Sequence, residues 1–157
     1  MITTSPVRKA LPSDKAEIME ICAQDHAENG QFSLSQTKLE RKISAILDGH
    51  EGVIGIIRPR NVIEGIILMQ FGRFWYTDDW CLEETLNYVR PDYRKSTNAK
   101  DMITFGKRCS DELGIPLVIG VVSNDRTKSK MELYRRQLGE PSGGYFIYPQ
   151  KRVQPAA

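Results

Sequence analysis

The stretch Tyr88-Val89-Arg90-Pro91-Asp92-Tyr93-Arg94-Lys95-Ser96-Thr97-Asn98-Ala99 takes a strand into a helix through a short polar loop. Pro91 withholds a ladder donor, so the strand ends near Val89. Ala99, Met102, Ile103, Gly106, Cys109 and Leu113 then share one helical face, closed by Gly114 and Pro116. A loop running into a helix N-terminus offers unpaired N–H groups and the positive end of the helix dipole. Arg94 and Lys95 add side-chain charge beside them, which makes the loop a physically sensible pyrophosphate cradle. The same residues also suit an ordinary solvated turn, and the loop alone does not choose between the two.

Upstream, Val7-Arg8-Lys9-Ala10 is a short strand candidate stopped by Leu11-Pro12. Ser13 is placed to cap a first helix, with Asp14 in its first turn and a stripe through Ile18, Cys22 and Ala23 reaching about Asn29-Gly30. Leu39, Ile43, Ile46 and Leu47 mark a second helix, with Gly49 at its C-terminal cap. Gly52 to Ile57, Val62 to Tyr76 and Trp80 to Val89 are β-rich runs separated by the turns Pro59-Arg60-Asn61 and Thr77-Asp78-Asp79. Short turns between such runs predict antiparallel hairpins.

Downstream, the apolar run from Pro116 to Val122 predicts a strand buried on both faces. Ser123-Asn124-Asp125 opens another helix, with Met131, Tyr134 and Leu138 at helical spacing and Gly139 ending it. Tyr145-Phe146-Ile147-Tyr148 predicts a last strand, and residues 150–157 a frayed polar tail. The predicted order is β-α-α-β-β-β-α-β-α-β, an α/β fold with a mixed, mostly antiparallel sheet flanked by helices. Residues 1–157 read as one domain.

Composition narrows the classes of function. Of 157 residues, 22 Lys and Arg stand against 20 Asp and Glu, for a net charge of +2. Near-neutrality argues against a broad nucleic-acid binder, although Arg90, Arg94, Lys95 and Lys100 form a local basic patch. No apolar run approaches the roughly 20 residues that cross a bilayer. Cys22, Cys81 and Cys109 form no CxxC pair and read as free thiols in a reducing, cytoplasmic compartment. His26 and His50 lack metal-binding companions, so no metal is expected. Trp75, Tyr76 and Trp80 fit cross-strand packing better than a stacking platform.

With these elements in place, the chain resembles the GNAT superfamily of N-acetyltransferases. The family's acetyl-CoA motif, V-x-P-x-Y-R-x-x-G-x-G/A, is similar to Val89, Pro91, Tyr93, Arg94 and Ala99. Leu133-Tyr134-Arg135-Arg136-Gln137-Leu138-Gly139 looks like its later L-Y-x-x-x-x-G motif, and Val7-Arg8-x-Ala10-x-x-x-Asp14 like its opening. Thr97 stands where the family usually has Gly, and only one strand follows the last helix where the family often has two. The resemblance extends, more weakly, to small acetyltransferase-like proteins encoded by phages.

The resemblance implies an enzyme that moves an acetyl group from acetyl-CoA to a primary amine by direct attack in a ternary complex. It assigns Tyr88, Val89, Arg94, Lys95, Ser96, Thr97, Asn98, Ala99 and Asn124 to acetyl-CoA binding. Tyr134 would protonate the departing thiolate, and Glu84 or Glu83 would act as base. Strand alternation turns one of these glutamates inward, and a bulge would exchange them, so both stand as candidates. A backbone N–H near Val89 would meet the oxyanion. Partners are acetyl-CoA and an amine acceptor, with no membrane; a homodimer is left open. The alternative is a degenerate acetyltransferase fold serving as a non-catalytic structural or virion-type module.

Overall fold

A computed structural model describes residues 6–149. The chain begins with β1 (Val7–Lys9) and a 3₁₀ turn (Pro12–Asp14), followed by α1 (Lys15–Asn29) and α2 (Gln36–Leu47). A meander follows: β2 (Gly52–Ile57), β3 (Gly65–Gly72) and β4 (Cys81–Val89). A second 3₁₀ turn (Pro91–Tyr93) leads to α3 (Asn98–Leu113), β5 (Leu117–Val118) and α4 (Thr127–Leu138). The five strands lie in chain order in one sheet, antiparallel from β1 to β4 and parallel between β4 and β5.

Strand alternation divides the core into two layers. Ile54, Ile56, Ile66 and Leu68 face Ile18, Ile21 and Cys22 of α1 and Ile43 and Ile46 of α2. Ile57, Ile67, Met69, Leu82 and Val89 face Met102, Phe105 and Cys109 of α3. Gly55 is required for that second layer: a Cβ there would stand 2.6 Å from the Phe105 ring. The helix stops follow the sequence, with Gly49 at φ 86° and Gly114 at φ 66°, both left-handed.

Four expectations are corrected. Ser13 does not cap α1; it lies in the 3₁₀ turn, and Asp14 is buried there by Arg8, whose Nη1 donates to it at 2.9 Å, and by the Leu11 amide at 2.8 Å. Arg8 and these other donors hold the Asp14 carboxyl below its ordinary value. The ladder partnered by β3 covers only part of the predicted Val62 to Tyr76 run, because Phe74, Trp75 and Tyr76 leave the sheet for an exposed turn. The run from Pro116 to Val122 supplies only two paired residues, and its side chains are half-buried or exposed, since nothing pairs with the outer edge of β5 among the described residues. No strand forms at Tyr145 to Tyr148, and Phe146 and Tyr148 are fully exposed. β-propensity needs a partner edge to become a strand, and a two-residue β5 offers almost none. The tail predicted at 150–157 lies outside the described residues. No described helix is long and apolar enough to cross a membrane.

Candidate active site

The site grows from an irregularity in β4. Leu68 pairs with Leu86 and Met69 with Glu84, so Thr85 is the extra residue of a bulge. Its hydroxyl donates to the Leu68 carbonyl at 3.1 Å, closing the kink. Such a bulge re-aims the side chains on either side of it. Glu83 ends beside β3, accepting from Gln70 Nε2 at 3.2 Å. Glu84 turns the other way and accepts from the Gly120 amide at 3.4 Å.

Beyond that point the neighbouring strands part. Among the described residues, β5 pairs with β4 only at Leu82–Leu117 and Glu83–Val118, and no strand accompanies β4 from Glu84 to Val89 on that side. α4 lies across the gap instead. Between them is a cavity of about 90 Å³ whose walls include Asn87, Val89, Arg94, Ala99, Lys130 and Tyr134. Both side-chain amide atoms of Asn87 are buried there without a hydrogen-bond partner, although the Tyr134 hydroxyl is close enough to interact. A buried amide with neither group satisfied is costly and calls for a reason.

Electrostatics in the gap are unusual. Loss of water pushes the Glu84 carboxyl up to about 8, with Asp25 pushing the same way and the Gly120 amide and Lys130 opposing. Burial also raises Asp25 of α1 and lowers Lys130, whose charge Asp25 and Glu84 support and Arg126 opposes. Burial, then the charge of Glu84, raises Tyr134, which therefore keeps its proton throughout the neutral range. A carboxyl near neutrality beside a firmly protonated phenol is an acid–base pair of the kind active sites use.

The cradle loop sits at the end of β4 nearest this gap. Asn98 is buried and donates through Nδ2 to Glu64 at 3.0 Å, fixing the start of α3 against the sheet. Ser96 Oγ donates to the Tyr93 carbonyl at 2.6 Å and accepts from the Asn98 amide at 3.2 Å. Thr97 donates to Asp101 at 2.7 Å. Lys95, Ser96, Thr97 and Ala99 direct no backbone N–H to a protein acceptor among the described residues. Arg94 is less free than the sequence implied: Nε donates to the Val89 carbonyl at 2.9 Å and Nη2 to Glu28 of α1 at 2.6 Å.

The candidates thus divide. Tyr134, Glu84, Val89, Arg94 and Ala99 converge on the gap, with Lys95, Ser96, Thr97 and Asn98 forming its loop. Tyr88 borders the cavity while its ring packs in the α1–α2 layer and its hydroxyl donates to Glu28 at 3.1 Å. Asn124 lies outside, binding the Glu28 carbonyl at 2.7 Å and accepting from Gln31 Nε2 at 2.6 Å. Glu83 is set apart from Tyr134 by its Gln70 bond. Sequence reasoning missed Asn87, Asp25 and Lys130. A polar residue between Leu86 and Val89 marked Asn87, but nothing local marked the other two.

No family model matches the chain, and no curated protein matches its sequence. Solved structures do match. An integron cassette protein from the mobile metagenome of Cole Harbour Salt Marsh is 20% identical over 96% of this chain and 92% of its own, with a TM-score of 0.72. AAC(6')-Iy, solved with the bisubstrate analogue CoA-S-monomethyl-acetylneamine, is 13% identical over 93% and 97%, with a TM-score of 0.69. A GNAT family acetyltransferase from Staphylococcus aureus subsp. aureus USA300_TCH1516 is 15% identical over 92% and 97%, with a TM-score of 0.61. The chain has the fold of GNAT acetyltransferases.

Proposed function

We propose that this chain is an acetyl-CoA-dependent N-acetyltransferase acting on a primary amine. What supports the reading most is the gap between β4 and α4, where Glu84 and Tyr134 influence each other electrostatically beside the unsatisfied amide of Asn87. The orphaned amide suits a ligand carrying amide groups of its own, as the pantetheine arm does. The open amides of Lys95, Ser96, Thr97 and Ala99 suit its pyrophosphate.

Glu84, with its carboxyl near neutrality, accepts the proton the amine must lose. The amine nitrogen then bonds to the thioester carbonyl carbon as the carbon–sulfur bond breaks. A main-chain N–H freed near Val89 by the parting of the strands meets the oxygen on which charge develops. Tyr134 donates its proton to the departing sulfur. Arg94 ties the loop to α1 through Glu28.

Calorimetry with acetyl-CoA, run beside a thiol-release assay with simple amines, tests the reading. Binding that Lys95→Ala weakens modestly and Ser96→Pro weakens severely is expected, since the proline removes an amide and constrains the loop. A chain that binds no acetyl-CoA would be the non-catalytic module instead.

A further inference from the structure

Lys130 puts an amine of the protein itself into the gap. It stands one helical turn before Tyr134 on α4, so the two side chains share a face and line the same cavity as Asn87 and Val89. Its surroundings resemble those required of an acceptor. The carboxyls of Asp25 and Glu84 attract its charge, Glu28 adds a weaker attraction, and Arg126, one turn earlier on the cavity wall, repels it. Its partial burial favours the neutral, nucleophilic form. Lys128, two residues earlier on the same helix, is exposed and lines no part of this cavity.

We propose that Lys130 is an internal acceptor that this site acetylates on its own chain, using acetyl-CoA. The inference rests on the N-acetyltransferase reading and extends it. The Lys130 Nζ lone pair forms the new amide bond to the acetyl carbon while the carbon–sulfur bond breaks. Glu84 takes the proton lost by the amine, Tyr134 gives one to the sulfur, and solvent returns the proton from Glu84 to Tyr134. The products are Nε-acetyl-Lys130 and CoA. Acetylation removes the titratable amine within reach of Asp25 and Glu84 and adds bulk to the gap. Label therefore accumulates when no external amine competes, and it slows turnover on such amines.

The experiment is peptide mapping by mass spectrometry after the full chain is incubated with acetyl-CoA alone. Lys130 should label faster than Lys128 by roughly tenfold or more, as a positioned nucleophile does. The fraction labelled should not depend on protein concentration. A thioether analogue of acetyl-CoA should protect Lys130 and leave Lys128 unaffected, and Glu84→Gln, checked for folding by its melt, should slow Lys130 alone. Lys130→Arg should remove the label without moving it to Lys128. Equal labelling of the two lysines, or labelling that scales with protein concentration, would overturn the proposal. Analogue binding by calorimetry without Lys130 label overturns this inference and leaves the acetyltransferase reading; no binding at all overturns both.

Discussion

Glu84 Oε2 accepts a hydrogen bond from the Gly120 amide at 3.4 Å, across a gap where β4 and β5 have stopped pairing. A side chain has taken the place of a ladder bond. The bulge at Thr85 and the brevity of β5 together allow this, one by turning Glu84 inward and the other by withdrawing the neighbouring strand.

The first prediction concerns pH. Burial raises the Glu84 carboxyl from an ordinary 4.5 to about 8. Between those values the folded protein keeps a proton that the unfolded chain has released. Its share of stability is therefore present below pH 4.5, falls as pH rises to about 8, and then levels off. Denaturant titrations across this window should show Glu84→Gln gaining on the parent as pH rises. Turnover of an amine should climb with pH through about 8 in the parent. The Gln variant should lose that limb and run roughly 10²–10⁴-fold slower. A parent whose rate is flat through the window would separate Glu84 from the chemistry.

Asn87 separates stability from function. Replacing both unsatisfied amide atoms with methyl groups of similar volume removes an uncompensated desolvation cost. Asn87→Leu should thus melt at or above the parent temperature while binding acetyl-CoA more weakly. Thermal melts and calorimetry on the same sample decide it. A variant that melts much earlier would mean that Asn87 is satisfied within the fold.

Most of the fold was legible because its signals are local. Leu39, Ile43 and Ile46 specify α2 by spacing, Gly114 ends α3, and the run at Pro91 to Ala99 names the strand-to-helix junction. The failures came where a local signal needed a distant partner. Tyr145 to Tyr148 has strand propensity without an edge to join, and the apolar Pro116 to Val122 run meets only two residues of β4. The site divides the same way. Tyr134 and the loop stand in recognisable motifs, whereas Asp25 and Lys130, far apart in sequence, come within electrostatic reach of each other only in the folded chain. Glu83 and Glu84 could be told apart only by the bulge, which no alternation pattern records.

Arg94 and Glu28 supply the third prediction. Arg94 uses Nε and Nη2 at once, on the Val89 carbonyl and Glu28, and holds the Glu28 carboxyl below its ordinary value. Arg94→Ala should destabilise the protein by about 1–3 kcal/mol, the cost of unpairing a partly buried acceptor. Arg94→Lys should not restore it, since one ammonium cannot span both partners as the fork does. Because the Glu28 carboxyl is depressed, this contribution is present above pH 4.5 and lost as pH falls below it. A double-mutant cycle with Glu28→Gln gives the coupling. Zero coupling, with acetyl-CoA affinity alone reduced, would make Arg94 a ligand contact and not a brace.

Tyr134 carries the last prediction. It is buried on α4, and its ring packs where the strand beside β4 is missing. Packing alone accounts for the ring but not for the hydroxyl, which lies within the influence of Glu84 and close to the Asn87 amide at the cavity wall. Its raised pKa, due first to burial and then to Glu84, keeps the proton in place until a stronger base arrives. A thiolate leaving a thioester is such a base, yet with a thiol pKa near 8.5 it leaves tolerably unaided. The acid should therefore help without being indispensable. Tyr134→Phe keeps the ring and deletes one oxygen, so stability and acetyl-CoA affinity should change little. Turnover at saturating acetyl-CoA should fall by roughly 10–10³-fold. The loss should shrink for an acetyl thioester whose thiol is more acidic, because that leaving group needs the proton less. Equal loss with both thioesters would assign Tyr134 to positioning, and an early melt with normal turnover would leave it a packing residue.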